Sequence, residues 1–140
     1  PFDKTELTDF DDTFNVNIKG PYFFTQALLP MMQKGTHVVN ISSIGGLTGS
    51  KKFAGLSAYS ASKGALAVLT ESLAEELKEQ GITVNCLALG AVQTDMFARA
   101  FPGAKAMQNP EQIAHFIADF CVNGPKYFNG KVIPVSMSVP

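Results

Sequence analysis

The chain begins with a long amphipathic pattern that predicts a helix. Apolar residues recur at helical spacing over residues 9–32, and Thr8 followed by Asp11 fits a capping box at the start. Pro21 lies inside this pattern and cannot donate a hydrogen bond to the carbonyl of Asn17, four residues back. We therefore expect a kink at this proline that frees the Asn17 carbonyl.

Two short apolar runs predict strands, and a second long helix is predicted between them. Residues 37–41 and 82–89 are rich in β-branched and other apolar side chains, which is typical of strands buried on both faces. The glycine- and serine-rich residues 42–55 are interpreted as a flexible loop. The helix between the strands is expected to run from Ser57 to Gln80 and to end at glycine.

The last third of the chain predicts one more helix and one more strand. The run NPEQ at 109–112 supplies a cap, a proline at the first helical position and a capping-box partner, and NGP at 123–125 ends the helix. Residues 130–135 are the last predicted strand. Long helices that alternate with short, doubly buried strands indicate a single α/β domain with a parallel sheet.

Composition and charge exclude several classes of protein. With 140 residues, 46% hydrophobic and 16% charged, the chain is not disordered, and its apolar runs are too short to cross a bilayer, so no membrane association is expected. A net charge of −1 without a basic block argues against nucleic acid as a partner. Cys86 and Cys121 lack metal-ligand spacing and are expected to be buried, reduced thiols, so no metal site is predicted. Structural or solvated roles are expected for His37 and His115.

Tyr59 and Lys63 are the first candidates for chemistry. They lie four positions apart near the start of the second long helix and therefore share one helix face. A fixed ammonium favours the phenolate form of a nearby tyrosine, so the pair could perform general acid/base catalysis. An ordinary surface contact is the alternative interpretation.

Two further segments could complete a site. Ser42 and Ser43 lie where a predicted strand meets a glycine-bearing loop, and ligands of parallel α/β sheets bind at the carboxyl ends of strands. A hydroxyl there can polarise a carbonyl oxygen of a substrate, although both serines could instead satisfy turn backbone groups. Asn17 could hold a water of a proton relay through its freed carbonyl, or could mark a kink without function. The glycine-rich residues 45–51 lack the spacing of a phosphate-binding loop and are interpreted as loop flexibility.

Four motifs, taken in order, resemble those of the short-chain dehydrogenase/reductase family. They are NVNIKG at 15–20, NISSIGG at 40–46, YSASKG at 59–64 and VNCLALGAVQTDM at 84–96. The resemblance implies a Rossmann-like, doubly wound parallel sheet. It also implies an oxidoreductase that transfers hydride between NAD or NADP and a carbonyl or secondary alcohol.

The resemblance also assigns residue roles. Tyr59 would donate or accept the proton, and Lys63 would promote its ionisation and bind the nicotinamide ribose, so that both also count as cofactor-binding residues. Ser43 would orient the substrate oxygen, and Asn17 would support a water relay.

A further cofactor contact is implied after the second predicted strand. Gly90, Val92 and Thr94 would lie against the nicotinamide, Val92 through its backbone and Thr94 through its hydroxyl. Leu89 stands where the family usually has proline, which restores an N–H in this loop.

Other departures from the family pattern concern the ends of the chain. The glycine-rich fingerprint of the family and its Asn-Ala-Gly element are absent from residues 1–140, and residues 135–138 lack the usual acidic-glycine ending. We therefore expect the chain to be the C-terminal part of one domain, with an incomplete sheet and little or no activity by itself. The interval from Ser43 to Tyr59 is also slightly longer than is common, which affects the substrate loop.

Two alternative functions remain open at this point. One is a non-catalytic binding or assembly module that retains the fold, and the other is an isomerase or dehydratase that uses the same tyrosine. The resemblance further implies a cytoplasmic homodimer or homotetramer. Its contact would use the small residues Ala61, Gly64 and Ala65 on the second long helix.

Overall fold

A computed structural model describes residues 1–137 of the chain. The helices are α1 (Leu7–Phe14), α2 (Gly20–Leu28), α3 (Ser57–Leu77), α4 (Asp95–Ala100) and α5 (Pro110–Asn123). The strands are β1 (His37–Ser43), β2 (Thr83–Leu89) and β3 (Val132–Val135). The predicted alternation of helices and short strands is confirmed. The predicted departure from the family's acidic-glycine ending concerns residues 135–138, of which Ser138 lies outside the described residues.

The three strands form one parallel sheet in the order β1-β2-β3. Side chains of successive strand residues point to opposite faces, so neighbouring residues of β2 identify the two helical layers. Cys86 faces α3, where it contacts Thr70, whereas Asn85 contacts His37 on the face that carries α5. Helices on both faces and parallel strands fit an incomplete, doubly wound α/β fold.

The first helical segment widens where the proline was expected to kink it. Asn15–Lys19 forms a π-helix between α1 and α2, and the N–H of Gly20 bonds the carbonyl of Asn15, five residues back. A π-helix therefore lies where the kink was expected, and the kink itself and a free Asn17 carbonyl stay predictions. The capping box at Thr8 is wrong, because α1 begins at Leu7 and Thr8 already lies in its first turn.

The prediction that the first strand is buried on both faces is also wrong. Within residues 1–137, β1 is an edge strand, and the side chain of Ile41 is 37% exposed. By contrast β2 lies in the centre, and its residues from Val84 to Ala88 are fully buried. Burial of a strand depends on neighbours that its own sequence does not encode.

The segment expected to be a flexible loop is more ordered than its composition indicates. After β1, residues 44–46 form a 3₁₀ turn, and Ser50 is buried. The Lys52 ammonium donates to the Leu47 carbonyl at 2.6 Å and to the Ser50 carbonyl at 3.0 Å. These bonds link the two sides of the loop between β1 and α3.

The second half of the chain mixes confirmed and missed predictions. The capping box of α5 is present, with reciprocal bonds between Asn109 and Gln112. Gly81 ends the helical segment after α3 in the left-handed conformation, with φ of 71°. The pattern analysis missed α4, although its N-cap, Thr94, accepts a hydrogen bond from the N–H of Phe97 at 3.1 Å.

The prediction of burial is confirmed for one cysteine and wrong for the other. Cys86 is fully buried, as expected, whereas Cys121 is exposed because it lies on the outward face of α5. Across residues 1–137, every helix is too short or too polar to cross a bilayer.

Candidate active site

The candidate residues gather at the carboxyl ends of β1 and β2. Ser43 ends β1, Leu89 ends β2, and the two residues are register partners. The loop after β1 leads into α3, whose first turns carry Tyr59 and Lys63. The carboxyl ends of neighbouring parallel strands are where α/β sheets bind ligands, and the topology brings loop and helix residues to this end of the sheet.

Tyr59 and Lys63 form the centre of the site. The Lys63 Nζ lies 5.8 Å from the centre of the Tyr59 ring and donates to the Ile41 carbonyl of β1 at 3.0 Å. Burial lowers the pKa of the Lys63 ammonium below its ordinary value, and the sulfur of Cys86 acts in the opposite direction. The lysine is therefore held beside the tyrosine ring by a strand carbonyl.

The two serines at the end of β1 have different roles. Ser43 caps the short turn that follows, where its Oγ accepts the N–H of Gly45 at 3.2 Å. A hydroxyl that accepts this bond keeps its own hydrogen, so Ser43 can still donate to a substrate oxygen. Ser42 does not satisfy turn backbone, contrary to that interpretation: it is buried and donates to the Lys63 carbonyl of α3 at 2.7 Å.

Asn17 lies on the π-helical segment that packs against α3. Its Nδ2 donates to the Ser62 hydroxyl at 3.0 Å, and Ser62 in turn donates to the carbonyl of Tyr59 at 2.7 Å. These two bonds link Asn17 to the helical turn that carries Tyr59 and Lys63. The side chain of Asn17 thus links the π-helical segment to α3 by hydrogen bonds. The predicted water relay instead involves the backbone carbonyl of Asn17.

The segment after β2 adopts a turn with its own hydrogen bonds. The N–H of Gly90 bonds the Val135 carbonyl, and a Cβ at position 90 would lie 2.5 Å from the Ser136 hydroxyl, so only glycine fits beside β3. The carbonyl of Val92 accepts the N–H of Thr94 at 2.8 Å. The Thr94 hydroxyl caps α4 as an acceptor and retains its hydrogen for a ligand.

A close contact between two glycines was missed by the pattern analysis. A Cβ on Gly46 would lie 2.6 Å from the Gly64 nitrogen, and one on Gly64 would lie 2.9 Å from the Gly46 carbonyl oxygen. The loop after β1 therefore packs directly on the backbone of α3. Two predictions are wrong on this point: Gly46 serves packing rather than flexibility, and Gly64 faces its own chain rather than a partner subunit.

Comparison with known proteins identifies the family. The family described as short chain dehydrogenase matches residues 1–105. This chain is a member of that family. It is 33% identical to the rabbit (Oryctolagus cuniculus) dehydrogenase/reductase SDR family member 4 over 146 aligned residues, which cover 94% of this chain and 55% of the relative.

Solved structures of short-chain dehydrogenases resemble the fold described above. A Burkholderia cenocepacia short-chain dehydrogenase in complex with NADP is 27% identical with a TM-score of 0.81, over 96% of this chain and 58% of that one. A 3-ketoacyl-(acyl-carrier-protein) reductase of Brucella melitensis complexed with NADH is 25% identical with a TM-score of 0.77, over 95% and 58%. The chain thus spans a little over half the length of these relatives.

Proposed function

We propose that the protein is an oxidoreductase that transfers hydride between NAD or NADP and a carbonyl or secondary alcohol, with Tyr59 as the acid/base. The observation that carries the proposal is the position of Lys63, whose ammonium lies 5.8 Å from the Tyr59 ring centre and bonds the strand carbonyl two residues before Ser43. This arrangement supports a site in which Tyr59 would be the proton donor, Lys63 the cation and Ser43 the polarising hydroxyl.

Each side chain has a distinct task in the proposed reduction. Ser43 donates its remaining hydrogen to the substrate oxygen and polarises the carbonyl. Tyr59 gives its proton to that oxygen as negative charge develops there, and the Lys63 ammonium stabilises the phenolate that remains. Asn17 supports a water relay that returns a proton to Tyr59. In the direction of oxidation, Tyr59 accepts the proton of the alcohol.

The described donors fit a nicotinamide dinucleotide. The Lys63 ammonium has three N–H donors, of which Ile41 uses one, so two remain for the hydroxyls of a ribose. The Thr94 hydroxyl also keeps its hydrogen, and the backbone of Val92 and Gly90 lines the same strand end. When bound, the nicotinamide supplies or accepts the hydride. NADP and NADH in the two similar structures support either form of the cofactor here.

We also propose that residues 1–140 are the C-terminal part of a single domain. The exposed Ile41 on the edge strand β1 and the greater length of the relatives support this assignment. Pyrophosphate binding would then depend on the remaining part, and the chain alone would show little or no turnover. A homodimer or homotetramer is proposed as well, with the exposed Ala61 and the 61% exposed Val68 of α3 as candidate contacts. The cytoplasmic location stays a prediction.

The test is turnover by the full-length protein that carries this chain. The probes are small ketones and secondary alcohols, and the readout is the ultraviolet absorbance of reduced nicotinamide. Tyr59→Phe is expected to lower kcat by roughly 10²–10⁴-fold, because it removes the transferable proton. Tyr127→Phe, a change at a tyrosine that is 79% exposed, is the matched control and should retain full activity.

Three outcomes would contradict this assignment. Wild-type turnover by Tyr59→Phe would show that another group transfers the proton. Conversion of substrate without net change in reduced cofactor would indicate an isomerase or dehydratase. Tight binding without any turnover would instead favour a binding or assembly module.

A further inference from the structure

Ser42 occupies an unusual position for a strand hydroxyl. It is only 4% exposed and donates to the Lys63 carbonyl of α3 at 2.7 Å. A carbonyl inside an α-helix normally accepts one bond, from the N–H four residues later. The hydroxyl of Ser42 adds a second bond to this carbonyl and so ties the backbone of α3 to the end of β1.

The peptide that follows Lys63 is also confined by the loop. The backbone of Gly46 approaches so closely that a Cβ on it would lie 2.6 Å from both the Lys63 carbonyl carbon and the Gly64 nitrogen. One peptide of α3 is therefore held by a hydrogen bond from Ser42 and by direct contact with Gly46. A tilt of this peptide away from β1 would break its hydrogen bond with Ser42. A movement toward the loop would make it clash with Gly46.

The other end of Lys63 meets the same strand. Its Nζ donates to the carbonyl of Ile41, the residue directly before Ser42. Two consecutive residues of β1 therefore hold Lys63, one at its backbone and one at its ammonium. The position of the ammonium relative to β1 depends on both contacts.

A buried thiol completes this set of contacts. Cys86 of β2 is fully buried and lies next to the hydroxyls of Ser42 and Thr70. The single hydrogen of the Ser42 hydroxyl goes to the Lys63 carbonyl. The bond to Lys63 therefore defines the orientation of the Ser42 hydroxyl, and the buried thiol lies beside it.

We infer that Ser42 is a positioning residue for Lys63: its hydroxyl fixes the height of α3 above the end of β1, and thereby sets where the ammonium lies beside Tyr59. Because Ser42 is buried, it would itself contact neither substrate nor cofactor. The inference rests on the proposed role of Lys63 in catalysis. It assigns to Ser42 a task that differs from that of its neighbour Ser43.

The direct test is the titration of Lys63 in the Ser42→Ala variant. The chain is labelled with ¹³C at lysine, and the signal of the Lys63 ε-carbon, assigned by its loss in Lys63→Arg, is followed against pH. In the wild type, burial lowers the pKa of Lys63. Without the Ser42 hydroxyl the ammonium is expected to leave Ile41 for water, so that the midpoint rises toward that of an ordinary lysine.

The matched control is Ser72→Ala on the same helix. The Ser72 hydroxyl also donates to a helical carbonyl, that of Val68 at 3.1 Å, but it is exposed and distant in sequence from the site. Ser72→Ala should leave the Lys63 midpoint unchanged. Ser42→Thr keeps the hydroxyl and should show the same Lys63 midpoint as the wild type. An unchanged Lys63 midpoint in Ser42→Ala would overturn the inference, even if the variant were less stable.

A second measurement separates positioning from stability. In the full-length protein, Ser42→Ala is expected to lower kcat about tenfold or more with KM little changed, because displacement of a catalytic group by about 1 Å has costs of this order. If Ser42→Ala does not fold, Ser42→Cys replaces the hydroxyl with a weak donor of similar size. The Lys63 midpoint and the kinetic constants are then measured in that variant, with the same expected results.

The two hypotheses can fail separately. The Lys63 titration needs neither substrate nor cofactor, so a shifted midpoint supports the positioning role even if Tyr59→Phe retains activity. An unshifted midpoint together with an inactive Tyr59→Phe variant would retain the proposed function and reject the role of Ser42.

Discussion

The two ends of the sheet carry polar networks that are built differently. At the amino ends, His37 begins β1, and its Nδ1 lies 3.1 Å from the Cys121 carbonyl. A carbonyl can only accept, so Nδ1 carries the hydrogen, and Nε2 accepts from the Asn85 Nδ2 at 3.0 Å. Asn85 also donates to the Phe128 carbonyl and accepts from the Lys131 N–H. Both ring nitrogens of His37 and both polar atoms of the Asn85 amide therefore make hydrogen bonds.

At the carboxyl ends the polar groups keep unused donors. Ser43 and Thr94 act as hydrogen-bond acceptors and retain their hydroxyl hydrogens, and Lys63 uses one of its three N–H groups. The Tyr59 hydroxyl makes no hydrogen bond to any residue among 1–137.

This difference separates a structural network from a site. The amino-end network satisfies its own groups and fixes one tautomer and one amide orientation, so it stabilises the fold. The carboxyl-end groups are positioned by backbone contacts but not saturated, which is what binding and proton transfer require. The predictions that follow test whether the two ends differ in this way.

The largest effect on stability is expected from Asn85→Ala. The side chain is fully buried, and its removal leaves the Phe128 carbonyl and the Lys131 N–H without their partner. We expect a loss of about 3 kcal/mol in the free energy of unfolding, measured by urea denaturation. Asn123→Ala removes an exposed amide that bonds Asp119 and should cost less than about 0.5 kcal/mol. Equal losses would show that the amino-end network is not structural.

A smaller loss is expected from Gly46→Ala at the carboxyl end. The new Cβ would meet the backbone of Lys63 and Gly64, which cannot move aside as a side chain would. A destabilisation of about 2 kcal/mol follows from this overpacking. Gly45→Ala is the matched control, because its nearest neighbours lie at 3.5 and 3.6 Å and the substitution should be nearly neutral. A reversed order of the two variants would refute the close contact.

A weaker, pH-dependent effect is expected at His37. Burial lowers its pKa below 6.5, and the hydrogen bond to the Cys121 carbonyl acts in the opposite direction. The unfolded chain therefore binds a proton before the folded chain does. Stability contributed by neutral His37 is complete above pH 6.5 and declines as the pH falls through 6.5 toward the lower folded pKa.

Variants at the two histidines can isolate this contribution. In urea denaturation between about pH 5 and 7.5, His37→Gln should flatten the pH dependence of stability. His115→Gln, at an exposed position on α5, should show the same pH dependence of stability as the wild type. No titratable side chain contributes to the His37 shift, which burial and a backbone carbonyl account for. An identical slope in wild type and His37→Gln would contradict the lowered pKa of His37.

The parts of the fold predicted correctly are those encoded by nearby residues. The capping box of α5 joins Asn109 to Gln112, and the left-handed Gly81 ends the segment after α3 through its own backbone. The shared face of Tyr59 and Lys63 follows from helical spacing alone. In each case the interacting groups lie within one helical turn, so local sequence carries the information.

Most of the missed features depend on residues that are distant in sequence, whereas α4 and the start of α1 were missed at local signals. The edge position of β1 depends on which strands flank it. The contact of Gly46 with Gly64 and the bond of Ser42 to Lys63 depend on how the loop folds back on α3. A serine in a strand and a glycine in a loop give no local signal of such partners, so the contacts that position Lys63 became visible only in the structure.

The mildest test of the comparison uses the reactivity of the two thiols. Cys121 is exposed on α5, whereas Cys86 is buried beneath Ser42, where burial raises the pKa of its thiol. A polar alkylating reagent should label Cys121 in the native chain and Cys86 at least ~100-fold more slowly, because Cys86 must wait for the fold to open. In Cys121→Ser, mass spectrometry should detect no rapid label until denaturant is added. Rapid native labelling of Cys86 would mean that the carboxyl end is not firmly packed, and that the groups around Lys63 are not held in position.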